Sequence, residues 1–198
     1  MGEIKSALEI ALEKTAHIEG DLSSIQNREY RNDGKRLANH FLETGDAEEL
    51  KKSFDNTASD RRESVREGAV SILLAAVKLP VEESDTEKTA RIGAGLEALI
   101  PGQGIAAMFG QVEQIFKQYL SEWEQTKSAL EQQFMPKLRA KQQEIARRYG
   151  QAVPMELNQD PEYASAFSRA KRALDDKYGM VVDEVRSRIQ EITGSHED

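Results

Sequence analysis

The side chains able to do chemistry in this chain are few, and their spacing is poor for the reactions they suggest. Histidine occurs three times, at His17, His40 and His196, and cysteine not at all. Without thiols there are no disulfides, thiolate metal sites, cysteine nucleophiles or iron–sulfur clusters. Neither Glu-x-x-His nor His-x-x-x-His is present, so the signatures of di-iron bundles and zincins are both missing. Glu13 and His17 stand one helical turn apart and could share a metal, but so loose a pair is the ordinary pattern of a solvated helix face. No metal, cofactor or catalytic residue is therefore assigned.

Five glycines between residues 93 and 110 (Gly93, Gly95, Gly102, Gly104 and Gly110) invite a phosphate-loop reading. No Gly-Lys-Ser/Thr follows them and no strand precedes them, and Gly93 and Gly95 fall inside a helical pattern. Close helix packing and a Pro101-Gly102 turn account for them better. A small-molecule pocket or enzymatic role near Ile92, Leu96, Ile105 and Met108 is kept as an alternative. Adjacent carboxylates such as Glu48-Glu49, Glu82-Glu83 and Asp175-Asp176 carry no sign of the desolvation that acid–base work needs. The chain is expected not to be an enzyme.

Charge offers a second candidate. Between Pro136 and Arg172 lie eight basic residues: Lys137, Arg139, Lys141, Arg147, Arg148, Arg169, Lys171 and Arg172. They face only four acidic ones, in a protein of net charge −8. Such a patch could receive nucleic acid, acidic lipid or an acidic protein. The plainer reading is that long cationic side chains flank and solvate a helical seam. The overall acidity argues against wholesale nucleic-acid binding.

The elements that must position these groups are helical. The composition is rich in Ala, Glu, Leu, Lys, Arg and Gln, with 6% aromatic and 31% charged residues, which predicts an all-α protein. Helices are expected over 3–18 and 35–44, with a loop from Gly20 to Gly34 that holds at most a helical turn at 25–30. A longer helix over 47–79, breakable near 56–59, should start at Asp46 with Glu49 three residues on. Its apolar second half should centre the N-terminal core, and another helix should run from Asp85 to Pro101.

From Gln103 the helical pattern continues through Pro136 to Tyr149, about 70 Å at 1.5 Å per residue. Residues 150–160 read as a loop, followed by a last helix from Asp160-Pro161 to about Ile192. Apolar residues recur every three or four positions on both long segments, predicting a Pro-kinked, coiled-coil-like antiparallel helical hairpin. Seven pairs share the residue sum 312, among them Tyr149 with Tyr163, Phe134 with Tyr178 and Trp123 with Ile189. The first part of the long helix (Ile105, Phe109, Val112, Phe116, Tyr119) should pack on the N-terminal helices. The expected organisation is thus a helical N-terminal domain (1–102), a hairpin (103–193, loop 150–160) and a frayed tail (194–198).

The opening Gly2-Glu-Ile-Lys-Ser-Ala-Leu-Glu-Ile-Ala-Leu-Glu-Lys-Thr15 resembles the start of an uncharacterised group of bacterial helical proteins. The resemblance implies no activity, cofactor or site residue. No signal peptide is visible, and the most apolar run, Ala69 to Leu79, is shorter than the roughly 20 residues of a membrane span. A cytoplasmic, non-catalytic protein–protein interaction or assembly module is expected, with a protein partner or homo-oligomer and the Ile4–Thr15 stripe as one candidate contact. Binding of an anionic partner through the basic tip is the alternative.

Overall fold

The computed structural model describes the backbone of residues 7–151 and 154–194, and side chains from residue 24 onward within those ranges. Among the described residues there are six α-helices and no strand: α1 (Ala7–Thr44), α2 (Ala47–Asp55), α3 (Arg62–Ala76), α4 (Glu83–Leu99), α5 (Ile105–Tyr149) and α6 (Pro161–Thr193). A 3₁₀ turn, Leu157–Gln159, precedes α6. The all-α expectation holds. Among the described residues no helix is long and apolar enough to cross a membrane.

The chain divides into two compact units, but not at residue 102. One comprises Met1–Val77, Arg91–Ala106 and Gln190–Asp198; the other comprises Lys78–Ala90 and Ala107–Ile189. The segment before α4 and the first half of α4 thus belong with the long helices, while the second half of α4 belongs with α1 to α3.

In the first unit, the expected loop from Gly20 to Gly34 is instead helix, continuous within α1. Gly34 has no positive φ and does not turn the chain. Its missing side chain admits α3: a Cβ there would lie 1.9 Å from the Val65 carbonyl oxygen, and one on Gly68 would lie 2.0 Å from that of Arg31. Two glycines facing each other's helix let the backbones touch, which turn chemistry alone could not reveal. Arg31 Nε donates to Glu67 at 2.8 Å beside this crossing. Ala38, Phe41, Leu50, Phe54, Leu73 and Leu96 are buried in this unit. Asp46 caps α2 by accepting the Glu49 N–H at 2.9 Å, as its spacing predicts. The break near residues 56–59 is real, because α2 ends at Asp55 and α3 starts at Arg62. The stripe Ile4–Thr15, the Glu13–His17 pair and His196 lie outside the residues whose side chains are described.

In the second unit, α5 continues through Pro136 for 45 residues. Its partners on α6 descend in number as α5 ascends, so the two helices run antiparallel. Tyr119 packs on Tyr178, Trp123 on Phe167 and Phe134 on Tyr163, with ring centroids 5.3, 4.9 and 5.7 Å apart. Lys141 meets Asp160 at 2.7 Å. These pairs sum to between 290 and 301, so the register of 312 is wrong by about four turns, and Trp123 packs on Phe167 instead of facing Ile189. A slide of 14 or 15 residues returns the apolar stripe to nearly the same face, and hydrophobic spacing cannot tell such registers apart. The connection between the helices doubles back along α5, with Gln142 donating to the Met155 carbonyl at 3.0 Å. That brings the start of α6 level with residues 134–141 of α5.

Candidate functional site

The best-formed polar constellation lies where α5 and α6 cross near Tyr119. The ring of Tyr119 is buried among Leu174, Tyr178, Leu120 and Trp123, and this packing fixes its hydroxyl. That hydroxyl donates to Asp175 Oδ1 at 2.7 Å and accepts from Lys171 Nζ at 2.7 Å. Lys171 also binds Asp175 at 2.5 Å, one turn along α6. In a second cluster the tyrosine and the carboxylate exchange helices, while the lysine again comes from α6. Tyr178 of α6 donates to Glu122 of α5 at 2.7 Å, and Lys177 binds the same carboxylate at 2.9 Å.

The electrostatics of both clusters keep their groups in their ordinary charge states. Burial pushes the Tyr119 phenol up, away from a phenolate base. Burial would lower the Lys171 ammonium, but its bonds to Asp175 and Tyr119 outweigh that and hold it above the ordinary lysine value. Burial would raise the Asp175 carboxyl, but its hydrogen bonds to Lys171 and Tyr119 outweigh that and hold it below its ordinary value. Glu122 is held low chiefly by the Lys177 hydrogen bond, and burial raises Tyr178. Each group thus keeps its ordinary charge state at neutral pH, which suits a clasp between the helices. An open groove of about 440 Å³ borders the first clasp, lined in part by Lys78, Leu79, Val81, Val182 and Arg186.

The eight basic residues of the candidate patch are spread along α5 and α6. Lys171 sits at the Tyr119 clasp, eleven residues along the chain from Asp160, the partner of Lys141, or about 16 Å at the helical rise. Arg169 and Arg172 lie on α6 beside Lys171, exposed. At the far end Lys137 is 3.7 Å from Glu162, Lys141 is 2.7 Å from Asp160 and Arg148 is 3.8 Å from Glu144. Arg139 and Arg147 are exposed there. The register of 312 places Lys171 opposite Lys141, and the observed one does not.

The glycine-rich segment is filled by the chain itself. Gly102 and Gly104 adopt positive φ of 83° and 68°, and the loop they shape points backbone N–H groups at Glu97. Its carboxylate accepts from Gly102 at 2.9 Å, Ile105 at 2.5 Å and Ala106 at 3.3 Å. Burial would raise Glu97, but these N–H groups outweigh it and hold the carboxyl below its usual range. An anion does sit at the start of α5, and it is a side chain. His40 lies 3.4 Å from Glu49. Among the described residues no group of three His, Asp or Glu side chains could hold a metal ion.

At the far end of α5, Ile145, Arg148, Tyr149, Lys141, Glu144 and Met155 line an open groove of about 390 Å³. Tyr149 is 70% exposed. Sequence reasoning counted Tyr149 and Ile145 in the seam and so missed this surface. It missed the clasps for the same reason, although Tyr119 with Asp175 and Glu122 with Tyr178 are two tyrosine–carboxylate pairs compatible with one alignment.

Neither curated proteins nor solved structures give a match to this chain. A family model does, over residues 51–191, a span that takes in α3, α4, α5 and most of α6 with both clasps and the end groove. The chain belongs to that family, a family of unknown function designated DUF6657.

Proposed function

We propose that this protein is a non-catalytic interaction or assembly module of the bacterial cytoplasm. In this reading α5 and α6 form a stiff, coiled-coil-like antiparallel arm. The opening segment Gly2–Thr15 is taken as part of the same uncharacterised group. The carrying observation is the end of α5, where an apolar helix face runs on past the start of α6 and exposes Tyr149. An apolar spot with a polar rim on a helix face is the usual geometry of helix recognition. The clasps support the same reading, since their residues are committed to holding two helices in register.

The test is capture of partners by the immobilised full chain with chemical cross-linking, beside a Tyr149→Ser bait. Specific cross-links through α5 residues 141–149, lost in the variant, are expected. Equal capture by both baits, or stabilisation of the chain by a metabolite in a thermal-shift screen without any protein capture, would count against it.

A further inference from the structure

The α5 face that carries Phe134, Leu138 and Lys141 towards α6 continues, at steps of three and four, into Ile145, Arg148 and Tyr149. The contacts Lys137–Glu162, Lys141–Asp160 and Gln142–Met155 show where α6 begins, and no α6 residue stands opposite these last two turns. What remains is half-buried Ile145, exposed Tyr149 and, among the described residues of the return segment, Met155.

The rim charges select the occupant. Of the charged residues that line the groove, Lys141 is bound to Asp160, and Glu144 and Arg148 stand one turn apart, one acid and one base. Such a rim is neutral and favours neither an anionic nor a cationic partner, but it is complementary to itself. Two copies laid antiparallel about a two-fold axis near residue 147 bring Ile145 beside Tyr149 in both directions, at a residue sum of 294. The same placement sets Glu144 beside Arg148, twice, at 292. The Glu144–Arg148 pair within one chain is 3.8 Å long and its side chains are 75% and 69% exposed, so exchanging it between copies costs little.

Resting on the interaction reading above, we infer that the end of α5 is an isologous homodimer contact, with Ile145 and Tyr149 at its centre and reciprocal Glu144–Arg148 pairs at its rim. Two helical turns bury less than the roughly 1,200 Å² of stable complexes, so the dimer forms at high concentration.

Sedimentation of the full chain from about 5 to about 500 μM should show the mean mass rising from 22.2 kDa towards twice that value. Tyr149→Ser and Arg148→Glu should each weaken self-association about tenfold, with helix content by circular dichroism unchanged. The double variant Glu144→Arg/Arg148→Glu should regain it, because swapped charges remain complementary to themselves. Mixed with wild-type chain, however, it should form fewer heterodimers than chance allows in native mass spectrometry. A chain at monomer mass throughout overturns the inference and leaves the interaction reading to the capture experiment. Self-association that survives Tyr149→Ser, or a double variant that does not recover, overturns it as well.

Discussion

The rings of Tyr119 and Tyr178 meet edge to face, 5.3 Å apart at 66°, and each hydroxyl donates to a carboxylate on the opposite helix. The pair is reciprocal: Tyr119 of α5 holds Asp175 of α6, and Tyr178 of α6 holds Glu122 of α5. Because apolar stripes alone permit several alignments, these two bonds define the one observed. Tyr119→Phe and Tyr178→Phe should each cost about 1 kcal/mol in urea unfolding, the worth of one such hydrogen bond. Tyr119→Ala should cost about 3–5 kcal/mol, since a buried ring goes with it.

The glycines separate into two classes with opposite predicted signs. At Gly34 and Gly68 an added methyl meets backbone oxygen at 1.9 and 2.0 Å, and backbone cannot step aside cheaply. Gly34→Ala and Gly68→Ala should each destabilise by about 3 kcal/mol or more. Gly110 and Gly179 lie within α5 and α6 with nothing within 4 Å of a built Cβ. There alanine should stabilise by about 0.5–1 kcal/mol through helix propensity. Thermal melts of the four variants test the contrast.

Asp85 should give the acid limb of the stability curve a recognisable component. The Lys88 hydrogen bond, then the Val81 and Glu82 N–H groups, lower its carboxyl from 3.8 to about 2. A folded-state value below the unfolded one means stabilisation that is complete above the unfolded value and is lost as pH falls from about 4 to about 2. Asp85→Asn should lower stability at pH 7 by about 1–2 kcal/mol and flatten the slope across that window. An unchanged slope would show that the carboxylate contributes nothing there.

Removing Glu97 should open the cradle that it fills. Glu97→Ala strands the N–H groups of Gly102, Ile105 and Ala106 and should cost about 2–3 kcal/mol. Formate or acetate at high concentration should restore part of the loss in this variant, and not in wild type. Thermal shift against salt-matched chloride reads the difference.

Much of the architecture was legible in the residues, for identifiable reasons. Pro, Gly and cap residues marked the ends of α2, α4, α5 and α6, and the three- and four-residue rhythm identified which faces are buried. The apolar rhythm ran across Pro136, and the helix does too. Two misreadings came from local signals that tertiary contacts override. Asn32-Asp33-Gly34 has the composition of a turn, but the glycine serves the contact with α3. The α5–α6 alignment was read from apolar periodicity, which repeats, instead of from Tyr119, Glu122, Asp175 and Tyr178, which do not. The bare end of α5 follows from that one offset.

A zip whose teeth are all alike can close one notch out and still hold. In this arm the greasy teeth are nearly interchangeable, and the two phenol latches are the keyed ones. Substitutions that trade one aliphatic tooth for another should therefore be absorbed quietly. Loss of both latches should yield a molecule that stays helical yet samples neighbouring notches, shifting the bare tip of α5 along with them.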